Sequence, residues 1–211
     1  STAQSYWRTA LGSAAGDPQK LAQLEALATL WGWRNEQMEV LARRFDINPG
    51  DQSAFTDLMD FYRRAGRTAE PVAVLSSYVS AHPADQVQQA NLAYYSMLSG
   101  INLSRAYITA QETYRSSPKE PRYQAVYAFA LWKQRRAQEA WEILDKVPAD
   151  KSQLVPVRLL RAAILADIDR KEEALRILTT FDPKNALPEE ASIASVLRSR
   201  LKSDSRLTQL Y

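Results

Sequence analysis

Five prolines divide the chain at nearly equal intervals. Pro49, Pro83, Pro118, Pro148 and Pro183 are separated by 34, 35, 30 and 35 residues, and each follows an apolar helical run. Proline has no N–H to continue a helix and biases the residue before it away from helical dihedrals, so each one marks a corner. Two of the corners share the same letters, Pro83-Ala84-Asp85 and Pro148-Ala149-Asp150. A period of about 34 residues is that of a helix–turn–helix unit that must stack on its neighbours to bury its apolar face.

The interior of the units fits this reading. In 51–83, Phe55, Leu58, Met59 and Tyr62 fall on one face of a first helix, and Gly66 stands where that helix must stop. Val72, Leu75 and Val79 mark one face of a second helix, with Pro71 in its first turn. Later units open their second helices with Ala106, Ala140 and Ala174, where two helices of a hairpin approach too closely for a larger side chain. Four positions on stand Ala110, Leu144 and Leu178.

This pattern resembles the tetratricopeptide repeat family over residues 18–183. Leu92-Ala93 occupies the family's Leu-Gly position, while Pro71 replaces the small Ala, Gly100-Ile101-Asn102-Leu103 carries one extra residue, and the unit ending at Pro148 is short. The resemblance implies an all-α, right-handed solenoid of antiparallel helix hairpins, about ten helices with one continuous core. The expected organisation is an N-terminal helix or truncated repeat in 1–17, repeats at 18–50, 51–83, 84–118, 119–148 and 149–183, and a C-terminal capping helix and tail in 184–211.

The first helices of such an array line a concave groove. The alanine spacing puts Ala90, Tyr94 and Met97 there in one unit, Ala125, Phe129 and Trp132 in the next, and Ala163 and Asp167 after them. Family members that hold a C-terminal carboxylate use Lys and Asn at such places. Asn91 is present without an accompanying Lys, so that activity is not carried over. The expected binding surface is therefore Asn91, Tyr94, Met97, Phe129, Trp132 and Asp167, partly aromatic and suited to a peptide or helix of a protein partner. The competing reading makes the aromatic residues packing between hairpins, the more common fate of aromatics at helical spacing.

Catalytic chemistry finds no foothold. There is no phosphate-binding loop, dinucleotide fingerprint or nucleophile elbow. One histidine, His82, and no cysteine argue against a zinc or other transition-metal site, and His82 reads as a solvated turn residue. No cofactor is expected. A net charge of +3, intermixed with acids, falls short of nucleic-acid binding. The Arg43-Arg44, Arg63-Arg64 and Arg135-Arg136 pairs suit helix C-termini, where cations are favoured. The chain reads as a non-catalytic protein-interaction scaffold. Alternatives are an RNA-binding helical repeat, or a structural spacer or self-associating (homo-oligomeric) module of a larger chain. No stretch is long and apolar enough to insert in a membrane. The lack of cysteine suits the cytoplasm and the periplasm alike, and a start at Ser1 fits a soluble segment trimmed from a longer or anchored protein.

Overall fold

The computed structural model describes residues 2–148, 151 and 157–208. Those residues form helices and no strand: α1 (Thr2–Ser13), α2 (Pro18–Trp31), α3 (Arg34–Ile47), α4 (Gln52–Arg64), α5 (Glu70–Ala81), α6 (Gln86–Ser99), α7 (Leu103–Ser116), α8 (Pro121–Lys133), α9 (Ala137–Leu144), α10 (Val157–Asp167), α11 (Lys171–Thr179) and α12 (Pro188–Thr208). Neighbouring helices pair as hairpins from α2–α3 to α10–α11, and each second helix packs on the first helix of the following pair. The first helices α6, α8 and α10 also touch one another, forming an inner layer. The protein is an all-α solenoid.

Each hairpin turns in the same way. The first helix ends in a residue with left-handed backbone: Gly32, Gly66, Gly100, Arg135 and Asp169, with φ between 64° and 77°. The residue after it donates its N–H five positions back, Trp33 to Ala28, Arg67 to Tyr62, Ile101 to Ser96, Arg136 to Leu131 and Arg170 to Leu165, at 2.8–3.0 Å. This is the Schellman closure, which satisfies carbonyls that the helix end would leave bare. Three of the five corners use Gly, which carries no steric cost there; Arg135 and Asp169 adopt a conformation that costs a side-chain-bearing residue roughly 1–2 kcal/mol. After Gly100 the extra residue is absorbed by a second left-handed residue, Asn102 at φ 51°. Ala106 therefore still meets α6, and it is buried with Ala140 and Ala174.

The proline corners end in an acid that starts the next helix. Asp51 accepts the N–H of Ala54, Asp85 that of Gln88, both at 3.0 Å, and Glu120 that of Arg122 at 3.4 Å. Asp17 does the same for Gln19 and Lys20. Such caps are worth about 1 kcal/mol each. The Pro-x-acid corner is thus a stop for one helix and a start for the next. Ala149 and Asp150 of the second Pro-Ala-Asp corner, and 152–156 at the start of the following unit, lie outside the described residues.

Some polar residues do more than the sequence implies. Arg44, expected to serve only a helix end, is half-buried between Glu25 of α2 and Asp51, 2.8 Å away, and ties three helices together. His82 is not simply solvated: its ring stacks on Tyr78 at 4.2 Å, and Tyr78 stacks on Phe55 at 3.9 Å. Tyr78 is accordingly fully inside, whereas Val79 beside it is only half-buried.

Candidate functional site

The inner layer carries the aromatic stripe. Tyr94 of α6 and Phe129 of α8 stand 35 positions apart, one unit, and their ring centroids are 5.4 Å apart. Trp132 lies one turn on from Phe129 with its ring stacked at 5.9 Å. The three rings are therefore side by side, because the stacking of units converts equal sequence spacing into adjacency.

They are not equally open. Tyr94, Met97 and Phe129 are 1%, 0% and 3% exposed, while Trp132 is half-buried. Trp132 donates its indole N–H to Asp167 at 2.7 Å, and Asp167 pairs with Arg200 of α12 at 2.7 Å. Asn91 is half-buried and donates to Gln88 at 2.7 Å.

What covers the stripe is the chain's own last helix. α12 packs on α10 and α11, as an end cap would, and also reaches back to α6. Leu187 just before α12, and Glu190, Ala194, Leu197 and Leu201 within it, are buried, alternating three and four residues apart. That alternation is a one-sided helical stripe that could have been read from the sequence. It is interrupted by an acid, which disguises it: Glu189 and Glu190 look like ordinary first-turn carboxylates favoured by the helix dipole.

Glu190 is instead 6% exposed and accepts the hydroxyl proton of Tyr94 and, at 2.9 Å, the N–H of Leu187. Burial pushes its carboxyl above the ordinary range, against the pull of those two hydrogen bonds and the positive charge of Arg63. The same burial holds the Tyr94 hydroxyl well above the usual tyrosine range, with the neighbouring carboxylate adding to it. Thr68 donates to Glu189, and a Cβ at Gly66 would lie 3.4 Å from Pro188, so the start of α12 is seated against the α4–α5 turn.

α12 does not fill the whole inner face. An open cleft of about 460 Å³ remains beside it, between α12 and the facing ends of α7, α8 and α10. Of the guanidinium pairs noted in the sequence, Arg64 is engaged locally with Asp60 and Arg136 with Glu139, and Arg170 pairs likewise with Glu173, at 2.6–2.7 Å. Among the described residues no group of three His, Cys, Asp or Glu could hold a metal ion, and no helix is long and apolar enough to cross a membrane.

No protein-family model matches this sequence, and no curated protein does. Among solved structures, the chain is similar to the crystal structure of a tetratricopeptide repeat protein from Parabacteroides merdae, with a TM-score of 0.53 at 17% identity, over 88% of this chain and 76% of that one. At that identity the likeness speaks for the fold alone, and the fold is a tetratricopeptide-like all-α solenoid.

Proposed function

We propose that the protein is a non-catalytic interaction scaffold whose inner face grips helical or peptide segments. The five hairpins are taken as units 18–50, 51–83, 84–118, 119–148 and 149–183, followed by the capping helix. The observation that carries this reading is α12 itself. The inner face already accommodates an amphipathic helix through an aromatic floor and a buried polar contact, Tyr94 to Glu190. The same chemistry would serve a partner segment along the part that α12 leaves open, at Trp132 and Asp167. Tyr94, Met97 and Phe129 form the buried floor in this arrangement, and Asn91 borders it.

The indole N–H of Trp132 reports on this directly, because it is bonded to Asp167 at the cleft. In an NMR titration with a peptide selected from a display library, its resonance should shift along with backbone signals of α8 and α12. Trp132→Ala should weaken that peptide by about 2 kcal/mol, as expected of an aromatic anchor. Selected peptides whose shifts map to α5 and α9 and spare α8, α10 and α12 would overturn the inner-face assignment.

A further inference from the structure

The cleft beside α12 has a chemical character of its own. Its apolar walls include Tyr107, Trp132, Ile193 and Val196, the last 63% exposed. Three cations line it, Lys133, Arg135 and Arg200, against one carboxylate, Asp167. That carboxylate is already held by Arg200 and by the Trp132 indole. Among the described residues Lys133 and Arg135 show no ion pair, and the Lys133 ammonium stands 5.8 Å over the Phe129 ring. Burial pushes its pKa below the usual lysine range, as for a cation partly stripped of water with no counter-charge.

Arg135 is the second observation. It occupies the left-handed corner position that Gly fills at 32, 66 and 100. Arginine gains nothing from that backbone conformation; Asp169 holds the equivalent corner of the next hairpin without lining the cleft. Arg135 itself borders the cleft.

We infer that this cleft is a docking site for an acidic, apolar segment of a partner protein, with an Ile, Leu, Phe or Trp side chain seated between Trp132 and Val196 and an Asp or Glu carboxylate held by Lys133 and Arg135. The carboxylate comes from a side chain rather than from a chain terminus. Capture of a terminus draws on Lys and Asn side chains together or on free backbone N–H groups; no Asn lines this cleft, and the N–H groups of Gln134, Arg135 and Arg136 all donate to carbonyls of α8. α12 supplies one wall, so the site exists only while α12 is docked. The inference rests on the scaffold reading and adds the partner's chemistry.

The test uses the whole chain and a displayed library of random 16-residue peptides. Enriched peptides should carry Asp or Glu within four residues of a large apolar side chain. Lys133→Glu with Arg135→Glu should weaken them at least about tenfold, the worth of one hydrogen bond to a charged group. Arg135→Gly is the decisive variant: it should raise the melting temperature, because Gly suits the corner, yet weaken the peptides severalfold. A loss of binding therefore could not be blamed on unfolding. Peptides that are enriched without acidic bias, or that bind Arg135→Gly as well as the parent, would overturn the cleft and leave the scaffold reading standing. A library that yields no enrichment over a bare support would overturn both.

Discussion

Tyr94→Phe removes one hydroxyl from the floor of the inner face and leaves the ring in place. Tyr94 is 1% exposed and Glu190 6%, so neither group can turn to water. The Glu190 carboxylate then keeps one donor, the Leu187 N–H at 2.9 Å, with the charge of Arg63 as its remaining support. A hydrogen bond to a charged group contributes about 1.5–3 kcal/mol, and we expect a loss of about 2 kcal/mol at pH 7. Glu190→Gln should be close to neutral alone, because an amide can accept from Leu187 and donate to the tyrosine oxygen. In that background Tyr94→Phe should cost about 1 kcal/mol, the ordinary value for a neutral bond, so a double-mutant cycle reads the charge term. The sign of the pH dependence follows from Glu190. Burial raises its native pKa above the ordinary 4.5, and the Tyr94 hydrogen bond pulls it back down. Without that bond the native pKa rises further. The stabilisation that accompanies a raised pKa is present below the unfolded value and is lost as pH rises through the native one. The penalty of Tyr94→Phe should therefore be small at pH 4 and grow toward pH 7. Urea unfolding followed by helical circular dichroism and tryptophan fluorescence at pH 4, 5 and 7 measures it. A variant within about 0.5 kcal/mol of the parent at pH 7, inside the range of ordinary surface changes, would refute the buried-carboxylate account, as would a penalty that grows toward acid.

Three further outcomes follow from the corners and caps. Asp51→Ala removes the α4 cap and one partner of Arg44, and should cost about 1–2 kcal/mol by urea titration at pH 7. Burial acts to raise the Asp51 carboxyl, but the Ala54 N–H and Arg44 outweigh it and hold the pKa below the ordinary 3.8. The stabilisation is thus present above that value and lost as pH falls through the native one, so parent and variant should converge in strong acid. Asp169→Gly, at a left-handed corner and on the exposed surface, should stabilise by about 0.5–1 kcal/mol in the same assay. Ala140→Leu, at a fully buried hairpin contact, should destabilise by about 1–3 kcal/mol through overpacking, seen as a lowered melting temperature.

Much of the solenoid is legible in the amino-acid order because its causes are local. A proline stops a helix, an acid two residues later starts the next, and a small residue such as Ala140 lets two helices close; each acts within one unit, so the period shows. The left-handed corners were only partly visible, since Gly32, Gly66 and Gly100 announce them while Arg135 and Asp169 do not. The aromatic stripe was likewise readable, because Tyr94 and Phe129 hold equivalent positions in successive units. What covers it was not. The contacts from Tyr94 to Glu190 and from Thr68 to Glu189 span 96 and 121 residues. No periodicity links those positions, and a carboxylate in a helix's first turn has the same local signature whether it faces water or a buried tyrosine. Whether α12 merely closes the last hairpin or returns over α6 depends on the curvature accumulated by every preceding hairpin, a property of the stack as a whole that only the tertiary structure decides.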